Sequence, residues 1–289
     1  MAQQRTDSIE TGTSWLVAVL ATAIITITFG APYVSVVALK PIALELGSAR
    51  SVPSLASALA FLGTGAGGIF MGWWADRVGV RVTVLIGAVM VGSGAMVASI
   101  GGALPLLVGH GLLIGLLGNS GIFAPLTTYI SRWFDRNRGS ALSLVTTGQS
   151  VAGALWPPLF AIAIERFGWH RTLLWYGVLT VAAVVPMAFL LHRAPPPPPA
   201  GGGGGERPGD ATVLGLPANL ALALLCAAIV CCCVAMAMPI GHLVAFCSDL
   251  GYQPARGSEM LSLLLGSAFL SRLFWGRLSD RIGGLRPCC

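Results

Sequence analysis

Gly72-Trp73-Trp74-Ala75-Asp76-Arg77-Val78-Gly79 and Gly276-Arg277-Leu278-Ser279-Asp280-Arg281-Ile282-Gly283 spell one pattern, Gly-x-x-x-Asp-Arg-x-Gly, 204 residues apart. At that offset, without a gap, Glu45 falls on Asp249, Leu46-Gly47 on Leu250-Gly251, Leu59 on Leu263 and Phe70 on Phe274. The chain therefore carries an internal repeat, and its repeated unit contains one charged turn between long apolar runs. Gly72 permits close helix approach and Gly79 permits positive φ at a reversal. The carboxylate between them can pair with arginines or sit at the positive N-terminus of a neighbouring helix.

Only 10% of the 289 residues are charged, 55% are hydrophobic, and mean hydropathy is +0.80. A soluble domain carries about a quarter charged residues. No Asp, Glu, Lys or Arg occurs in 11–39, 51–75, 82–131, 139–164, 172–192 or 211–248. A membrane helix needs about 20 apolar residues, so 82–131 holds two. A weaker run from Met260 to Trp275 encloses Arg272. Lipid offers backbone groups no partners and no period-2 pattern is visible, so the spans are helices.

The expected fold is an all-α membrane protein of eight spans: Trp15–Leu39, Val52–Trp74, Val82–Ile100, Leu104–Ile130, Ser140–Ile164, Thr172–Leu191, Leu214–Phe246 and Gly257–Trp275. Span 7 is longer than one crossing needs and is expected to tilt, or to break near Pro239-Ile240-Gly241. Five prolines at 195–199 and five glycines at 201–205 form a linker. The expected organisation is a tail at 1–14, a six-helix unit at 15–193, the linker at 194–212, and at 213–289 two helices of a second unit that stops before its remaining four.

The net charge of +6 follows topology. With the N-terminus inside, Arg77, Arg81, Arg132, Arg136, Arg138, Arg277 and Arg281 fall on the cytoplasmic side, as the positive-inside rule requires, and both termini are cytoplasmic. These residues lie in short loops and form no single basic face, which excludes a nucleic-acid partner. The N-terminus lacks the short apolar run and cleavage site of a secretory signal. Seven cysteines are present, but Cys231-Cys232-Cys233 on a helix point about 100° apart and cannot converge on one metal. No Gly-x-Ser-x-Gly, metal-ligand spacing or paired carboxylates occur, so neither an enzyme nor a cofactor is expected.

Arg272 lies about one turn inside the end of span 8, where an unpaired cation costs a few kcal/mol. Snorkelling to the surface is the alternative to a binding role. Tyr33, Asn119, Gln149, Trp156 and His242 are further polar or aromatic groups within spans, able to line a cavity or to join helices. Gly63, Gly67, Gly68 and Gly72 in span 2, with Gly111, Gly115, Gly118 and Gly121 in span 4, are expected to pack helices closely.

On its doubled turn and span count the chain resembles the major facilitator superfamily, over nearly all of 15–286. That resemblance implies two six-helix bundles rocking about a central cavity, with Gly72, Asp76, Arg77, Gly79 and Arg81, and Gly276, Asp280, Arg281 and Gly283, as conformational latches. Asp76 is then expected to meet a helix late in the second unit, one of the four that this chain stops before, and Asp280 the start of span 5 near Gly139 and Ser140.

A finer resemblance is to the monocarboxylate and oxalate–formate branch. It rests on Phe29-Gly30, Leu39-Lys40-Pro41, Gly111-Leu112-Leu113-Ile114-Gly115 with Pro125, Arg132 to Ala141, and Gly168-Trp169-His170-Arg171. It implies that Arg272 binds a substrate carboxylate, with Tyr33, Asn119, Gln149 and His242 as further candidates. Two positions depart from that branch: Tyr33 replaces a lysine and Ala268 an acidic residue. The function expected is alternating-access transport of a small solute, an organic anion such as a monocarboxylate, in a bacterial inner membrane. A non-transporting fragment and a drug or metabolite efflux protein are the alternatives.

Overall fold

The computed structural model describes residues 10–47, 50–191, 212–213 and 216–282. Most of the linker, and Gly283 of the second turn, lie outside the described residues. Span 1 is built from three pieces, α1 (Gly12–Thr28), α2 (Ala31–Val37) and α3 (Leu39–Glu45). Thr11 starts it with a reciprocal cap shared with Ser14. Span 2 is α4 (Ser51–Val78) and span 3 is α5 (Val80–Ala98). Span 4 runs through α6 (Ala103–Val108), a π-helical stretch Gly109–Asn119, and α7 (Ser120–Ser131). One helical run, α8 (Arg138–Leu190), holds spans 5 and 6, which meet where Gly168 leaves the helix at φ 78°. Spans 7 and 8 are α9 (Ala218–Asp249) and α10 (Pro254–Ile282).

Among the described residues, six helical stretches are long and apolar enough to cross a membrane, and 138–190 supplies two passes. α10 is not among the six, and Arg272 sits within it. Exposed Leu16, Ile69, Trp175 and Leu263 coat the outside, as suits contact with lipid rather than water.

Small residues let the spans approach. A Cβ on Gly63 would stand 2.7 Å from the Gly111 carbonyl oxygen, and one on Gly115 2.6 Å from that of Ala60, so spans 2 and 4 touch backbone to backbone. Spans 3 and 6 meet likewise at Gly92 and Gly177. Span 1 packs on span 5 through Gly148, with Thr22 and Thr26 donating to the Leu144 and Gly148 carbonyls at 3.2 Å each.

The repeat is visible in the helix bounds. The 204-residue offset carries Ser51–Val78 onto 255–282, and α10 ends at Ile282 after starting at Pro254. Gly47 and Gly251, paired at the same offset, both have positive φ, 55° and 86°.

Of the two alternatives for span 7, a tilt or a break, the break near Pro239 does not occur: α9 continues through it, because a proline deletes only one N–H and leaves the rest of the ladder intact. Its helix also begins at Ala218, later than Leu214, because Thr212–Val213 pairs antiparallel with Leu216–Pro217. That two-residue pairing is the only strand structure among the described residues.

Candidate functional site

Both charged turns meet the loop that leads into span 5. Asp280 accepts from the backbone N–H of Gly139 and of Ser140, each at 2.8 Å. These donors belong to the first turn of α8 and have no intrahelical acceptor, so a carboxylate there gains both hydrogen bonds and the helix dipole. Gly276 makes the approach possible, since a Cβ there would stand 2.5 Å from the Ser143 Cβ. Just upstream, Glu10 accepts from the N–H of Arg136 at 2.7 Å and of Asn137 at 2.6 Å. Two carboxylates distant in sequence thus satisfy successive backbone donors at one entry.

Asp76 behaves differently. It forms an exposed ion pair with Arg132 at 3.2 Å, within the first six spans. The expected Gly72 approach is corrected: a Cβ at Gly72 would meet nothing within 4 Å. Gly79 does take positive φ, 87°. Arg77 lies over the Trp73 ring at 4.0 Å and Arg81 over Phe189 of span 6 at 4.4 Å, two cation–π contacts that anchor the turn. Arg281 falls in the last turn of α10.

Arg272 projects onto span 5, where its Nη1 donates to the Thr146 carbonyl at 2.9 Å. An open groove of about 440 Å³ surrounds it, lined also by Leu142, Ser143, Ser271 and Trp275. A guanidinium has five donors in a planar fork suited to a carboxylate. Tyr33 is buried at the junction of spans 1, 5 and 8. Its hydroxyl and Leu265 both reach the space that a side chain on Gly153 would fill. Leu265 is about 10 Å along α10 from Arg272 at 1.5 Å per residue. By helical spacing half-buried Gln149 lies on the same face of span 5, between Thr146 and Gly153.

Two candidates stand elsewhere. Asn119 is buried at the end of the π-helical stretch, and its Oδ1 has no partner among the described residues. His242 is exposed on span 7, one of the least buried helices, and does not line the Arg272 groove. His110, buried in the π-helical stretch, bonds within its own span, to the Leu106 carbonyl at 3.1 Å.

The break in span 1 sets where Tyr33 points. Pro32 has no N–H, so the Thr28 carbonyl loses its helical donor, and the turn at Phe29-Gly30 frees the Thr26 carbonyl as well. Trp156 Nε1 donates to Thr26 at 2.7 Å, and the Tyr176 hydroxyl contacts the Ile27 and Thr28 carbonyls. Trp156 packs flat on Gly30, where a Cβ would stand 2.6 Å from the indole. Gly30 and Pro32 signal the break in sequence; the aromatic partners, over 120 residues away, carry no local signal.

On the opposite face, Arg50 grips both oxygens of Asp249 at 2.6 and 2.7 Å, and Lys40 adds an ion pair at 2.8 Å. The hydrogen bond and charge of Asp249 push the Arg50 pKa further up, so Arg50 stays charged. Glu45, the repeat partner of Asp249, binds Trp169 Nε1 at 2.8 Å and His170 at 3.2 Å. The alignment of Glu45 with Asp249 was the available signal for this cluster.

Residues 15–288 match the family model of the Major Facilitator Superfamily. Monocarboxylate transporter 13 of Rattus norvegicus is 28% identical over 72% of this chain and 47% of its own length. MFS-type transporter pynF of Aspergillus niger is 24% identical over 75% of this chain and 49% of its own length. Monocarboxylate transporter 11 of Homo sapiens reaches 34% identity over 40% of this chain and 24% of its own length. The chain spans about half the length of these first two relatives. A family match across nearly the whole chain, on an all-helical fold with a duplicated charged turn, makes this chain a member of the Major Facilitator Superfamily.

Proposed function

We propose that the protein carries a small organic anion, a monocarboxylate in the first instance, by alternating access, with Arg272 as the anion anchor. The observation that carries this reading is the position of Arg272: a guanidinium inside a span, directed across the interface between span 8 and span 5 into an open groove. A cation there needs a partner, and one backbone carbonyl leaves its charge unbalanced. Two relatives bear the name monocarboxylate transporter, which supports the same substrate class.

Tyr33 and Gln149 extend the site toward the middle of the bundle. The Asp280 turn closes one face and the Asp249 cluster the other, and both are engaged here. Releasing Asp280 from Gly139 and Ser140 lets span 8 rock off span 5 and widens the groove around Arg272. The arginine-rich face with Asp76 and Asp280 is cytoplasmic on the positive-inside rule, with the first and last described helices starting and ending there.

The test is uptake of radiolabelled lactate, formate or oxalate by proteoliposomes containing the purified chain. Concentration-dependent uptake that falls at least about tenfold in Arg272→Gln, the cost of roughly 1.4 kcal/mol of lost anion binding, is the expected result. No flux across the anion panel, or flux indifferent to Arg272→Gln, contradicts the reading.

A further inference from the structure

We propose that a second anion site lies on the face opposite the Asp280 turn and takes small monocarboxylates through Lys40. It rests on the organic-anion reading above for its ligand class but uses none of the residues around Arg272. A cavity of about 500 Å³ opens there between the ends of spans 1, 5 and 7 and the start of span 8. Lys40, Ser248, Gln253 and Glu165 supply its polar lining, with Val37 and Val244 among the apolar walls. That volume and a mostly apolar wall with a few placed polar groups suit a small amphiphile.

The hydrogen-bond donors of Lys40 favour an anion here. Arg50 already engages both oxygens of Asp249, fork to fork, and neutralises it. Lys40 is a second cation on the same carboxylate; with Glu165 on the cavity wall the four groups carry no net charge, so an anion is drawn by the local donors of the ammonium and not by an excess of positive charge. An ammonium has three donors. Asp249 and the Ser248 hydroxyl take two of them, each at 2.8 Å, which leaves one for a ligand carboxylate. Lys40 is the only lysine in the sequence. Its side chain is 32% exposed, reachable from water yet held in place. Glu165, exposed at the rim of the same cavity, opposes any anion, and a dianion more than a monoanion.

A carboxylate that takes the free donor of Lys40 shares the ammonium's charge with Asp249 and so weakens that ion pair. Binding there loosens one of the two cations that tie span 7 to the first six spans, while Arg50 keeps its grip. The site is thus a vestibule whose occupancy biases this face toward opening.

Equilibrium binding of radiolabelled butyrate to the purified full chain tests the proposal through the number of sites. Two bound butyrates per chain are expected in the wild type and one in Lys40→Gln, with the remaining Arg272 site reporting an intact fold. Gln253→Trp, which plugs the cavity without touching the ion cluster, is expected to lose the same site. Succinate is expected to compete at the Lys40 site at least about tenfold less well than butyrate. Wild-type stoichiometry in both Lys40→Gln and Gln253→Trp overturns the proposal. Two sites in Arg272→Gln with one in Lys40→Gln supports it while overturning the role given to Arg272.

Discussion

The turn at Asp76 and the turn at Asp280 share a sequence pattern and differ in what they hold. Asp76 pairs with Arg132 in the open, both side chains more than half exposed, within one six-span unit. Asp280 reaches from span 8 to the start of span 5 and caps it with two backbone hydrogen bonds. Gly72 has empty space beside it, whereas its counterpart Gly276 presses on Ser143. The same division holds on the opposite face: Glu45 binds within the first unit, and its counterpart Asp249 ties span 7 back to span 1 and the loop after it. A repeated motif therefore specifies a chemical group at a position, and the neighbouring helix decides whether that group works within a unit or between two.

Asp280→Ala should give the largest effect. It strands two amide donors at a helix start, a loss of about 1.5–3 kcal/mol for hydrogen bonds to a charged group. Cysteine cross-linking between the ends of spans 5 and 8 should report it as a loosened contact, and an unchanged cross-linking yield would break the comparison.

Gly276→Ala comes next, at about 1–3 kcal/mol of overpacking, because the Ser143 Cβ cannot rotate away. Gly72→Ala should do the reverse and stabilise α4 by up to about 1 kcal/mol, since alanine favours helix over glycine. Thermal unfolding in detergent measures both, and equal signs for the two variants would contradict the asymmetry.

Asp76→Ala should cost no more than about 1 kcal/mol, the range of an exposed ion pair. Raising salt to 1 M, where the screening length is about 3 Å, should erase what effect there is. The Asp280 contact, made to backbone amides in a part-buried position, should survive the same salt.

The Asp280 contact was legible because a duplicated turn implies a duplicated docking position, and the entry to span 5 has free amides by the geometry of any helix. Gly72 meets no neighbour among the described residues, and a glycine in a repeated motif packs closely only where a neighbour is present. The continuity of α9 was hidden because Pro239 breaks a helix only if the freed carbonyl finds a better partner elsewhere, as Thr26 and Thr28 do at the Trp156 and Tyr176 side chains. Glu10, Trp156 and Tyr176 reach their acceptors and donors across more than 120 residues of chain. No local pattern encodes such a pairing. Arg272 announced itself through the cost of a cation in a span, while the exposure of His242 follows from which neighbours span 7 has, a property of packing and not of composition.

Amide hydrogen exchange at Gly139 and Ser140 tests most directly whether the second turn, and not the first, bridges the two units. Asp280→Ala should speed exchange at these two amides by roughly 10- to 150-fold, the equivalent of about 1.5–3 kcal/mol, and Asp76→Ala should leave them unchanged. Equal acceleration by the two variants, or none by Asp280→Ala, would contradict the account.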